Sequence, residues 1–129
     1  MKKVSELNAT NCKTLFAEIH GRKIAYRSIG KGDPIIIIPG GPGGTHLPYR
    51  SFDSLASTNT VVYFDAFGRG KSDTAKDVKE YTLARDIEDL EGLRIALHYD
   101  KWNVLGHSYG GLVAQGYALK YPSHVSHLI

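Results

Sequence analysis

A serine with glycine two positions away on either side can be held as a nucleophile, and residues 106–110 read Gly-His-Ser-Tyr-Gly. The segment follows an apolar run at 102–105 and opens an amphipathic run at 112–120. Strand, Gly-x-Ser-x-Gly and helix in that order describe a nucleophile elbow, a sharp turn that lifts a serine hydroxyl above a sheet. The turn strains the serine backbone, so Gly106 and Gly110 supply the small residues it needs, and Gly111 is read as letting the helix pack close to the strand. The helix N-terminus points its amides at any oxyanion that forms on an attacked carbonyl. The chemistry these residues suit is acyl transfer through Ser108.

Such a serine needs a base to take its proton and an acid to orient that base. The residues after Ser108 include no Asp or Glu, and their only histidines are His124 and His127. A helix over 109–121 carries the chain roughly 18 Å from the turn, at about 1.5 Å per residue. His124 then opens the next parallel strand at the end away from the serine, so surface or core roles are assigned to both. His124-x-x-His127 also lacks the spacing and glutamate of a zinc-protease helix. His107 is expected to pack or hydrogen-bond locally, His46, near the pocket mouth, to be a solvent-exposed loop residue with substrate contact as the alternative, and His20 and His98 to sit at element ends. Gly70-Lys71-Ser72 after a strand looks like the end of a phosphate-binding loop. That motif needs glycine at position 65, which is aspartate, and a carboxylate there would repel phosphate.

The elements that must position this turn follow from patterning. Residues 14–20 and 23–29 read as strands joined by a tight turn at Gly21-Arg22, an antiparallel hairpin. The run 35–38, four isoleucines, suits a strand buried on both faces. A glycine loop at 40–44 leads to a short helix over 48–57 carrying Phe52 and Leu55, then a β-branched and aromatic strand at 60–64. Residues 81–98 place Leu83, Ile87, Leu90, Arg94 and Leu97 at helical spacing, with Gly92 inside at a cost of about 1 kcal/mol relative to alanine. After the serine turn and its helix, 125–129 begins a further strand. A hairpin followed by alternating strand and helix predicts a mostly parallel sheet flanked by helices.

The 129 residues suit one domain with a real core, and 42% apolar with 22% charged residues is an ordinary globular composition. A net charge of +3 with interspersed signs gives no reason to expect a nucleic-acid partner. The single cysteine, Cys12, fits a reducing compartment, and neither a signal peptide nor an apolar run long enough for a membrane span is visible. A cytoplasmic location without a membrane partner is therefore expected.

Three motifs occur in fixed order: Pro39-Gly40-Gly41-Pro42-Gly43-Gly44, Asp65-Ala66-Phe67-Gly68-Arg69-Gly70-Lys71-Ser72, and the serine turn. Together they resemble the α/β-hydrolase fold, and more narrowly the proline iminopeptidase branch of the serine aminopeptidases. In that branch the first motif usually reads His-Gly-Gly-Pro-Gly; here Pro39 stands in the histidine's place. The resemblance implies that Ser108 is the nucleophile and that the backbone N–H groups of Tyr109 and Gly41 form the oxyanion hole. It makes Gly40 and Gly43 shape residues and 65–72 a structural loop. It implies no metal or organic cofactor, since the nucleophile is a side chain.

The resemblance also makes 1–129 the N-terminal part of an α/β-hydrolase domain, its sheet stopping after about strand six. The helical cap that holds acidic residues for the substrate amine, and the catalytic acid and base after it, are then absent. Removal of an N-terminal residue, preferably proline, from a small peptide is the implied activity of the complete enzyme. An esterase or amide hydrolase for another small acyl substrate stays open, as does an inactive, partner-binding half. The unfinished sheet edge invites self-association or a complementing chain.

Overall fold

A computed structural model describes residues 13–41 and 44–129. Cys12, Pro42 and Gly43 therefore lie outside the described residues. Among the described residues six strands, β1 (Leu15–Ile19), β2 (Arg22–Ile29), β3 (Asp33–Ile38), β4 (Asn59–Phe64), β5 (Trp102–Gly106) and β6 (Val125–Leu128), form one sheet. Their spatial order is β1-β2-β4-β3-β5-β6. β2 is antiparallel to both β1 and β4, and β3, β4, β5 and β6 run parallel. The expected hairpin and mostly parallel sheet are both present.

The hairpin turn lies one residue earlier than the sequence reading placed it. Ile19 pairs with Arg22, so the loop is His20-Gly21, with φ of 50° and 75°. A two-residue loop whose twist matches its strands needs positive φ at both positions, and His20 adopts it despite its side chain.

β3 is covered on both sides, which explains its unbroken isoleucine run. Ile36 and Ile38 face α1 (Leu83–Ala96) and α2 (Tyr109–Lys120), in a core built around Phe64, Leu90, Trp102 and Tyr117. Ile35 and Ile37 face the other way, with Val61, Tyr63 and Ala56, beneath the segment Leu47–Ser57. That segment is a 3₁₀ helix.

α1 is shorter than the periodicity suggests. A 3₁₀ turn at Val78–Glu80, capped by Asp77, precedes it. Thr82 Oγ1 then accepts the Arg85 N–H at 3.1 Å, so the helix begins at Leu83. Leu83 is 40% exposed, and Leu93 joins Ile87 and Leu90 in the core instead. The same buried side carries Asp86, Asp89, Glu91 and Arg94. Each has a partner: Arg69 and Tyr109 for Asp86, Arg22 for Asp89, Arg94 and Tyr117 for Glu91. Gly92 has a packing reason, since a Cβ there would lie 2.5 Å from Ile19 Cγ2.

At the far side of the sheet, β6 pairs with β5 alone among the described residues. Beside it Tyr49, Phe52, Leu105 and Ile129 line an apolar groove on the face opposite α1 and α2. No described helix is long and apolar enough to cross a membrane.

Candidate active site

Chain direction decides where a site can form. The chain leaves β3 toward the 3₁₀ helix on one face and leaves β5 into α2 on the other, so a crevice opens between their carboxyl ends. The glycine loop and Ser108 border that crevice.

Ser108 sits at φ 56°, ψ −119° between β5 and α2. This lies outside the usual left-handed helical basin and resembles the first central position of a type II′ turn, where glycine is preferred. Backbone bonds brace it: His107 N–H donates to Ile38 O at 3.2 Å and Gly110 N–H to His107 O at 2.9 Å. A Cβ at Gly106 would lie 2.2 Å from Gly110 O, and one at Gly110 2.2 Å from Ile38 O. Both clashes are with backbone, so neither is relieved by a rotamer change. Gly111 differs from its sequence assignment: its added Cβ would meet nothing nearer than Gly106 O at 3.8 Å. Close packing of α2 on the sheet rests on Gly110. The Ser108 side chain is exposed and makes no capping hydrogen bond to α2.

The glycine loop is anchored from the other face. Gly40 N–H donates to Tyr49 Oη at 2.8 Å, and Gly41 has φ 83°. A Cβ at Gly44 would lie 2.1 Å from Gly40 O, so the loop closes tightly on itself. Gly41 and Tyr109 come together as walls of one narrow cleft of about 20 Å³, with Ile38, Phe64 and Val113 as its apolar lining. Its polar members engage one another. Arg69 donates to Asp86 at 2.9 Å and Tyr109 Oη donates to the same carboxylate at 2.6 Å. Burial, with the hydrogen bond to the Asp86 carboxylate behind it, pushes the Tyr109 phenol up to about 12.

The loop expected to be structural is tied down at both ends. Asp65 Oδ2 accepts the Lys71 N–H at 3.2 Å, and the Ser72 hydroxyl donates to Asp65 O while accepting Ala25 N–H at 2.8 Å. Gly70 takes φ 51° with the Asp65 carboxylate where a side chain would be.

The histidines are all engaged elsewhere or remote. His107 Nδ1 lies 2.8 Å from Tyr49 Oη, the local hydrogen bond expected of it. His127 pairs with Asn103, His124 lies 2.9 Å from Glu91, His20 contacts Asp89, and His98 follows α1 at φ 60°. Among the described residues none is hydrogen-bonded to the Ser108 hydroxyl.

His46 overturns its reading as a solvent-exposed residue. It is 6% exposed, with Nδ1 2.9 Å from Asp65 Oδ1 and Nε2 buried without a partner. Burial alone would raise the Asp65 carboxyl, but the hydrogen bonds from His46 and the Lys71 amide outweigh it and hold it below its usual value. No local signal marks this pair, because 19 residues separate its members. The same holds for Asp86, which the sequence reading did not single out.

Comparison with known proteins bears on the family and the fold. The alpha/beta hydrolase fold family matches residues 33–129. A proline iminopeptidase of Heyndrickxia coagulans is 34% identical over 117 residues, covering 88% of this chain and 41% of that protein. One from Saccharolobus solfataricus is 40% identical over 108 residues, covering 81% and 34%. Mouse 1-acylglycerol-3-phosphate O-acyltransferase ABHD5 is 38% identical over 105 residues, covering 79% and 30%. Among solved structures, a Vigna radiata epoxide hydrolase superposes with TM-score 0.85 at 19% identity, covering 91% of this chain and 38% of that one. An alpha/beta hydrolase of Nostoc sp. PCC 7120 gives 0.84 at 28%, covering 92% and 42%. The chain thus spans about two fifths or less of the relatives it matches, and it belongs to the alpha/beta hydrolase fold family.

Proposed function

We propose that residues 106–110 are a nucleophile elbow and that Ser108 is the nucleophile of a serine hydrolase. The observation that carries this is the Ser108 backbone at φ 56°, ψ −119°, held where glycine would be easier. Strain of that kind persists when the surrounding structure over-determines it, and here two glycines and three elements do so. In the proposed reaction the Ser108 hydroxyl oxygen attacks an acyl carbon, and its proton passes to a base and then to the leaving amine. The Gly41 and Tyr109 N–H groups hold the tetrahedral oxyanion. Water then cleaves the acyl-serine ester and returns the proton to the hydroxyl. The base and its acid come from outside the described residues, and the described part is the N-terminal portion of the hydrolase domain.

The substrate is the finer part of the proposal. Similarity to two proline iminopeptidases supports release of an N-terminal residue, preferably proline. The outer edge of β6 is proposed as the place where a second copy or a complementing chain adds to the sheet.

Incubation with a fluorophosphonate probe, followed by intact mass, tests the nucleophile. Labelling of the chain but not of Ser108→Ala is expected if a base reaches the site; equal labelling of both would refute the assignment. Where labelling occurs, proline naphthylamide should be cleaved faster than its leucine counterpart. A preference for a simple acetyl ester over both would move the assignment to an esterase.

A further inference from the structure

Three segments converge on one phenol. Tyr49 Oη accepts the Gly40 N–H at 2.8 Å and lies 2.8 Å from His107 Nδ1. A phenol carries one proton and two acceptor sites, so one oxygen serves both neighbours at once. Space at Gly40 confirms how closely they meet: a Cβ there would be 3.0 Å from Tyr49 Oη and 3.1 Å from both His107 Nδ1 and His107 O.

Tyr49 itself is well held. Its N–H donates to His46 O at 2.9 Å, and its carbonyl lies 3.3 Å from Tyr63 Oη, which donates to buried Asp53 at 2.7 Å. Its ring packs at a tilt on the His107 imidazole, with centroids 5.7 Å apart. The phenol therefore reports to the 3₁₀ helix, which stands on the opposite face of the sheet from α2.

Gly40 immediately precedes Gly41, and His107 immediately precedes Ser108. We propose that Tyr49 is a positioning residue that clamps the glycine loop to the Ser108 turn, fixing the separation between the loop amide and the nucleophile. Its catalytic consequence rests on the reading of Ser108 and Gly41 given above; the clamp itself does not. An oxyanion hole works only when its donors stand ready at hydrogen-bond distance, and the two proposed donors follow separate strands, β3 and β5, that no covalent turn joins.

The test is Tyr49→Phe, which keeps the ring and removes the oxygen, made in the full chain. Amide hydrogen exchange by NMR reads Gly40 directly, with the Val62 and Val104 amides as the check on the core. Gly40 exchange should rise about tenfold while the core amides hold, as expected for loss of one hydrogen bond worth about a tenfold population change. Unchanged Gly40 exchange overturns the clamp. Fluorophosphonate phosphonylation of Ser108, with loss of fluoride, should slow about three- to tenfold, and an unchanged rate in a variant whose Gly40 is released overturns the positioning role. If the unaltered chain does not label, no base reaches Ser108 within it, and exchange alone decides the clamp. Should Tyr49→Phe not fold, His107→Leu removes the other anchor, and Gly40 exchange must rise there too or the clamp is refuted.

Discussion

Replacing Ser108 by glycine is expected to make the fold more stable while removing its nucleophile. At φ 56°, ψ −119° a residue with a Cβ carries strain of about 1–3 kcal/mol. Glycine relieves that strain but gives the unfolded chain more freedom, which opposes it by about 0.4–1 kcal/mol. The hydroxyl makes no cap to α2, so its loss costs the helix little. Ser108→Ala is the right reference, since it removes the oxygen and keeps the Cβ. Glycine should exceed alanine by about 1 kcal/mol, or about 3–5 °C in melting temperature for a domain of this size. Differential scanning calorimetry of the three proteins reads this directly. If the glycine variant melts at or below the alanine variant, the backbone is not strained at 108, and the central support for the nucleophile is lost.

The neighbouring glycines give a contrast within one helix. Gly110→Ala drives a Cβ into Ile38 O and should cost several kcal/mol, about the range of severe overpacking, whereas Gly111→Ala should be neutral or stabilise by up to about 1 kcal/mol; urea unfolding separates them. For Asp65 the folded pKa lies below its ordinary 3.8, so its stabilisation is complete above about pH 5 and is lost as pH falls through the folded value. Asp65→Asn should therefore be less stable by about 1.5–3 kcal/mol at pH 7, with the gap closing below pH 3.8; a gap independent of pH would refute the role of the Asp65 carboxylate charge. At tens of micromolar the chain should elute above monomer mass through the β6 edge and the groove at Phe52, Leu105 and Ile129, and a monodisperse, cooperatively melting monomer in light scattering and thermal scans would count against it.

What could be read in the sequence was whatever physics confines to a short window. The Ser108 turn is five residues long, and its sterics act on Gly106 and Gly110 inside that window. The isoleucine run of β3 is legible because burial on both faces leaves no alternation to preserve. Gly111 was misread because adjacency to the motif is not contact, and the distance to Gly106 O settles it only in three dimensions. The hairpin slipped by one because a histidine at positive φ carries no compositional signal. His46–Asp65, Arg69–Asp86 and Asp86–Tyr109 were invisible for a different reason. Their members stand 19, 17 and 23 residues apart, and no periodicity links a loop to a strand end or a helix to the turn it supports.

The charged side of α1 has a consequence for how this chain reaches its fold and how it can change. Apolar contacts at Ile87, Leu90 and Leu93 would tolerate a helix turned or shifted along its axis, since hydrophobic attraction has no direction. Asp86, Asp89 and Glu91 would not, because their partners stand on three other elements: the loop after β4 and α2 for Asp86, the hairpin for Asp89, and α2 for Glu91. A slip of one residue would bury several charges without partners, at several kcal/mol each. The register of α1 is thus set by charge, not by grease. Over generations, position 86 cannot drift alone: a lineage that loses this carboxylate must rewrite Arg69 and Tyr109 with it, so the three should vary as one character.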